Sequence, residues 1–111
     1  IMLSSIFTMQ PEKWAQEPAL AAITDYNIAK FFADEWLVRN TDLDWTIVQA
    51  SSLTEEAGTG KIEVDPIHDG VNPIPDVAEV LADALNLPNT IGKVIMIRSG
   101  NEPITDALES I

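Results

Sequence analysis

Apolar and polar positions follow two periods along this chain, and each predicts its own elements. Residues 1–7, IMLSSIF, form a short apolar run broken only by two serines, which predicts a buried parallel strand. Trp45–Gln49 and Val94–Ile97 read as further strands, and the alternating Lys61–Val64 as a short one. From Pro18 to about Arg39 the spacing changes. Leu20, Ile23, Ile28, Phe31, Phe32, Trp36 and Leu37 recur every three or four residues, which predicts one long helix with Pro18 in its first turn. On that reading Phe31, Phe32 and Trp36 belong to the core or to an interface. Val77–Leu85 predicts a second helix, opened by Asp76 and stopped by Pro88 and Asn89. Pro103 starts a short last helix. Thr8–Pro18, Asn40–Asp44, Ala50–Gly60 and Pro66–Pro75 read as loops, with Trp14 anchoring the first of them on the core in preference to forming a lid. The order is strand, helix, strand, loop, helix, strand, helix. That is an α/β chain, one domain or part of one, without repeats or linkers.

The chemistry concentrates on the long helix. Tyr26 and Lys30 stand four residues apart, on one face and one turn from each other. A cation beside a phenol favours the phenolate and lowers its pKa from about 10 toward neutrality. A tyrosine in that setting can donate and accept protons near pH 7. The spacing alone equally fits an exposed helix face with a snorkelling lysine. Other candidates carry less. Gly58-Thr59-Gly60 follows a polar loop and precedes KIEV, so it is a poor phosphate loop. Glu55 and Glu56 read as exposed loop charges. His68 is the only histidine, with no second to form a metal pair, and no metal site is expected.

Ser4-Ser5 at a strand end, Tyr26-x-x-x-Lys30 followed by Ala33-Asp34 and Leu37, the stretch from Leu53-Thr54 to Gly58-Thr59-Gly60, and Asp76-Val77-Ala78 opening a helix occur in a telling order. Together they resemble the C-terminal half of an atypical short-chain dehydrogenase/reductase, of the NAD(P)H-binding NmrA-like and flavin-reductase-like group. The resemblance runs over almost all 111 residues. It implies a Rossmann-like, doubly wound parallel sheet lacking its N-terminal glycine-rich βαβ part. No G-x-G-x-x-G is present, and Ile1 lies inside an apolar strand. The expectation is therefore a single partial domain over residues 1–111, the second half of a domain of roughly 200 residues.

The same resemblance implies a mechanism. Lys30 holds the nicotinamide ribose of NADP or NAD and keeps the Tyr26 phenolate accessible. Tyr26 protonates a carbonyl oxygen as hydride arrives, and Ser5 orients that carbonyl. Only one of two successive strand serines can face the cofactor, and the family uses the second. Further cofactor contacts are implied for Ser4, Ala50, Leu53 and Thr54. The implied activity is NAD(P)H-dependent reduction of a small carbonyl, quinone or flavin. The alternatives are a non-catalytic NmrA-like dinucleotide-binding redox sensor and an inactive fragment. Two departures stand out. Relatives carry Arg-Pro-Gly where this chain has Gln49-Ala50-Ser51, and Tyr26 follows Ser5 by 21 residues, a longer interval than in well-studied enzymes with a working triad. In the superfamily the equivalent long helix packs against its copy, which implies a homodimer through the Tyr26-containing helix.

Charge narrows the partners. Eighteen acids against six bases give a net charge of −12. Nucleic acid and anionic membrane surfaces are poor partners for such a chain, so the expected ligand is a small molecule. No apolar run reaches the roughly 18 residues of a membrane span. There is no cysteine, which rules out disulfides and thiol chemistry, and the expected location is cytoplasmic. With no glycine-rich pyrophosphate loop, these 111 residues alone are expected to bind NADPH negligibly. Titration calorimetry of the 111-residue chain checks this, and micromolar binding would overturn it.

Overall fold

The computed structural model describes residues 1–111. Its frame is three adjacent parallel strands, β1 (Met2–Ser5), β2 (Thr46–Ala50) and β6 (Lys93–Ser99). Leu3 pairs with Val48 and Val48 with Ile95, while Ser5 pairs with Ala50 and Ala50 with Ile97. Side chains that pair across the strands share a face, so this register sorts the sheet into two sides. β4 (Lys61–Val64) adds to β6 in the antiparallel sense, and β7 (Glu102–Pro103) closes that edge, in the order β1-β2-β6-β4-β7. β3 (Ser52–Thr54) and β5 (Val71–Pro73) form a separate two-stranded parallel ribbon inside segments that read as loops. Three-residue strands leave too little pattern to detect.

One side of the sheet carries the apolar core. Val48, Ala50, Ile62, Ile95 and Ile97 pack there against α4 (Ile74–Ala84) and α5 (Ile104–Glu109). Val77, Val80 and Ala84 recur at helical spacing along α4, and Ile104, Ala107 and Leu108 complete the layer. Asp76 does more than open its helix. It is almost fully buried, and its carboxylate accepts the Gly60 N–H at 2.9 Å, the Thr59 N–H at 3.1 Å and the Thr59 hydroxyl at 3.2 Å. The Gly58–Gly60 turn is thus tied to the first turn of α4, a structural duty.

The other side is covered by the segment expected to be a single helix from Pro18. It is broken. α2 (Pro18–Ala21) and α3 (Thr24–Asn40) are its two parts, and Ile23 between them leaves helical geometry with φ −128° and ψ 45°. A further short helix, α1 (Pro11–Trp14), stands inside Thr8–Pro18, which reads as a loop because one turn is too short to show a period. The break lets Leu20 join Ile6 and Phe7 in a small second cluster while α3 lies against β1. The Leu20 carbonyl at the break accepts the Asn27 side-chain amide at 2.8 Å and the Ile23 N–H at 3.1 Å. Trp14 is an anchor, as expected: its Nε1 donates to the Phe7 carbonyl at 3.0 Å and its ring meets Phe31 edge-on. Phe7 itself has φ +58°, a conformation that costs a non-glycine residue energy.

The apolar residues of α3 are not core residues. The helix buries Asn27 and Asp34 instead, while Phe32 and Trp36 are 65% and 61% exposed and Phe31 is half-buried. No helix is long and apolar enough to cross a membrane. Replacing Asp76 with Ala removes one acceptor group from three donors and is expected to destabilise the fold by about 2 kcal/mol. The urea midpoint should fall with an unchanged slope; a change below about 0.5 kcal/mol, the range of an ordinary surface substitution, would contradict the clamp.

Candidate functional site

A cleft of about 240 Å³ opens where β1 and β2 end. Ligands of open α/β sheets sit beyond the carboxyl ends of the strands, and the cleft lies there. The end of β1 contributes Leu3, Ser4, Ser5 and Ile6, the exit of β2 contributes Ala50–Leu53, and α3 contributes Tyr26 and Lys30. Ala19, Leu20 and Ile23 close it from the helix break. Ser4, Ser5, Tyr26, Lys30, Ala50 and Leu53, all expected at a site, thus share one cleft. Thr54 lies outside its lining, on β3, with its hydroxyl buried and unpartnered.

The two serines take different duties. Ser4 faces α3, where its hydroxyl donates to Asp34 Oδ2 at 2.8 Å. Ser5 falls on the opposite face of the strand, paired with Ala50, and its hydroxyl takes no partner within the chain. The Ser5 carbonyl accepts the Thr8 hydroxyl, which tightens the turn after β1. Tyr26 is 48% exposed, so its phenol stands at the mouth of the cleft. The Lys30 Nζ lies 5.6 Å from the Tyr26 ring centroid and 3.4 Å from the Leu3 carbonyl, to which it donates. At the exit of β2, Ser51 is held twice: its N–H donates to Asn72 Oδ1 and its hydroxyl to the Ile97 carbonyl, both at 2.9 Å.

Beneath Lys30 lies a residue whose role was not legible beforehand. Asp34 is fully buried. Its Oδ2 accepts Ser4 Oγ and, at 3.1 Å, Gln49 Nε2, while Oδ1 has no partner. Burial pushes its pKa above the ordinary carboxylate value. The Ser4 and Gln49 hydrogen bonds and the Lys30 charge pull it down, the nearby Glu35 pushes it up, and burial wins. One signal was present in the sequence: Tyr26, Lys30 and Asp34 repeat at four-residue steps and so form a single stripe.

Other polar groups stay outside the cleft. His68 pairs with Glu17 at 3.1 Å on the surface, and no group of three or more His, Asp or Glu side chains is arranged to hold a metal ion. Gln49, which stands where the resemblance implies an arginine, points into the sheet–helix interface and donates to Asp34.

A profile of the NAD(P)H-binding family matches residues 1–88. The chain belongs to the NAD(P)H-binding family. It is 35% identical over 100 residues to the UPF0659 protein YMR090W of Saccharomyces cerevisiae, covering 83% of this chain and 43% of that one. It is 28% identical over 112 residues to the uncharacterized sugar epimerase YhfK of Bacillus subtilis, across this whole chain and 50% of the relative. Among solved structures, the oxidoreductase YlbE of Lactococcus lactis superposes with a TM-score of 0.95 at 43% identity, over 99% of this chain and 50% of that chain. The chain therefore spans about half the length of the curated relatives it matches, and the fold is the Rossmann-like α/β arrangement of this family. The family's cofactor class is a nicotinamide dinucleotide.

The raised pKa of Asp34 has a signed consequence. A carboxyl that is easier to protonate when folded stabilises the fold at low pH, and that contribution is lost as pH rises through the folded-state pKa. The wild type should lose stability relative to Asp34→Asn on going from acid toward neutral pH. Melting temperatures of both proteins between about pH 4 and pH 8, the range that begins at the ordinary carboxylate pKa, test this. A difference between the two that stays constant, or a wild type that gains on Asp34→Asn as pH rises, would refute the assignment.

Proposed function

We propose that the cleft is the reaction half of an NAD(P)H-dependent reductase acting on a small carbonyl, quinone or flavin substrate. One observation carries this reading: Ser5, Tyr26 and Lys30 line the same cleft, and the Ser5 hydroxyl is unspent within the chain. Family membership and the likeness to YlbE, an oxidoreductase by name, support it. The cleft also fits the cofactor's reactive end. It offers hydroxyls, one ammonium and the loop after β2, without a carboxylate in its lining to repel phosphate or ribose oxygens. Lys30, Tyr26, Ser4, Ala50 and Leu53 are the residues that would hold that end.

A nicotinamide dinucleotide, when bound, supplies hydride. The chain's own residues supply the rest. The Ser5 hydroxyl donates a hydrogen bond to the carbonyl oxygen of the substrate and fixes its direction. Tyr26 gives its phenolic proton to that oxygen, so the carbonyl leaves as an alcohol, and the Lys30 ammonium compensates the phenolate left behind. Solvent returns the proton to Tyr26, which its half-exposed position allows.

The rival reading, a dinucleotide-binding sensor without turnover, rests on the hydrogen bond that Lys30 gives to the Leu3 carbonyl, which draws its Nζ toward β1. A homodimer through α3 belongs to the same proposal, supported by the exposed stripe of Ile28, Phe32 and Trp36.

Tyr26→Phe, made in a protein that also carries the pyrophosphate-binding half of the domain, separates the readings. For a reductase, NADPH affinity stays within a factor of about three while kcat falls by about a hundredfold or more, the share of a general acid. Tight NADPH binding by the wild type with no turnover on any carbonyl, quinone or flavin tried would favour the sensor.

A further inference from the structure

We infer that Asp34 is a positioning residue: its buried carboxylate, fixed by Ser4 and Gln49, is the counter-charge that seats the Lys30 ammonium at the end of β1, one helical turn from Tyr26. The consequence for turnover rests on the reductase reading; the electrostatic influence of Lys30 on Asp34, which acts without a direct ion pair, does not.

Geometry leads to this assignment. Tyr26, Lys30 and Asp34 succeed each other at four-residue steps on α3, so Lys30 sits between the phenol and the carboxylate. β1 is gripped at two successive residues. The Leu3 carbonyl takes the Lys30 Nζ, and the Ser4 hydroxyl donates to Asp34. The two charged residues of the helix stripe therefore meet the same short stretch of strand, Leu3 and Ser4, which itself lines the cleft.

The surroundings of Asp34 leave it one cation. β1 presents Ser4 and β2 presents Gln49, and both are neutral donors that bind the same oxygen, Oδ2. On α3 itself the charged neighbours are Lys30, which attracts, and Glu35, which repels. Glu35 is engaged with Arg39 on the outer side of the helix. Lys30 is left as the compensating charge. Oδ1 is buried with no partner, so the carboxylate is not fully satisfied by the clamp.

Such a group costs stability, since a buried acceptor without a donor pays its desolvation in full. Packing alone would be served better by an amide or an apolar side chain. Costs of this kind persist where a site needs the charge. Here the charge acts on Lys30. Without it the ammonium has a single long hydrogen bond to a carbonyl, and its flexible stem is free to follow solvent away from Tyr26.

The test uses Asp34→Asn in a protein that also carries the pyrophosphate-binding half of the domain; the substitution keeps the shape and an oxygen for Ser4 and Gln49 but removes the charge. If Asp34 only holds the fold together, the variant melts lower and loses turnover in proportion to the folded fraction. If it seats Lys30, the variant melts at or above the wild type at neutral pH, yet kcat for NADPH-dependent carbonyl reduction falls by about tenfold or more through misplacement of the acid–base pair. A second readout needs no turnover. In the wild type the carbon-13 resonance of the Lys30 side chain, labelled at Cε, should move with pH in step with the Asp34 carboxyl, and that movement should vanish in Asp34→Asn. A Lys30 resonance indifferent to Asp34, or a variant that loses stability and turnover together, overturns the inference. If the wild type reduces nothing, the reductase reading fails, and the Lys30 resonance still decides the role of Asp34.

Discussion

The seating of α3 on the sheet is the constraint from which the site follows, and the side chains that the helix buries fully there are polar and hydrogen-bonded. The two residues the helix buries are Asn27 and Asp34. Asn27 ties its start to the Leu20 carbonyl, and Asp34 ties its middle to β1 and β2 through Ser4 and Gln49. Apolar packing tolerates sliding and rotation of a helix, because one methyl group serves much like another. A hydrogen-bonded carboxylate does not, since a shift of about an ångström breaks the bonds. The rotation of α3 about its axis is thereby set, and with it the direction in which Tyr26 and Lys30 point.

The two sides of the sheet divide the work. On one side, branched aliphatic side chains of β2, β4 and β6 meet α4 and α5 in a dry layer. That layer resembles the interior of any α/β protein and needs no special chemistry. On the other side a small cluster of Ile6, Phe7 and Leu20 supports a largely polar interface. The cleft belongs to this second side and to the strand ends. A rigid apolar half holds the strands, and the polar half can then carry groups that a core would not accept.

How much of this was legible depends on the period and length of each element. β1, β2, β4, β6, α4 and α5 follow from patterns of four or more residues, and the parallel frame follows from their order. β3 and β5 did not, since three residues cannot show a period. The long helix misled in an informative way. Its apolar spacing predicts a core or interface stripe, and of the two the core is excluded: Phe32 and Trp36 face out and the polar Asn27 and Asp34 face in. Amphipathicity assumes that a helix is held by its greasy side, and α3 is held by its polar one. The break at Ile23 was hidden for a related reason: it is fixed by Asn27 and by the place Leu20 takes beside Phe7, both distant in the pattern. Of the expected site residues, those at strand ends and on α3 do share a cleft, because strand order and helix spacing govern their meeting. The place of Asp34 beneath them required the register of Ser4 against Gln49, which only the folded sheet supplies.

That register also explains why two adjacent serines are useful where one would not be. Alternation along β1 sends Ser4 under the helix and Ser5 to the opposite face. The first hydroxyl is consumed in holding Asp34, which frees the second from structural duty. Lys30 faces a comparable division. Its ammonium meets the Leu3 carbonyl and the Tyr26 ring, and the Asp34 carboxylate stands one helical turn along. Were Asp34 paired with a cation of its own, Lys30 would have no electrostatic reason to stay at the sheet. Because Gln49 and Ser4 are neutral, the carboxylate remains in want of charge, and the nearest source is the lysine one turn away.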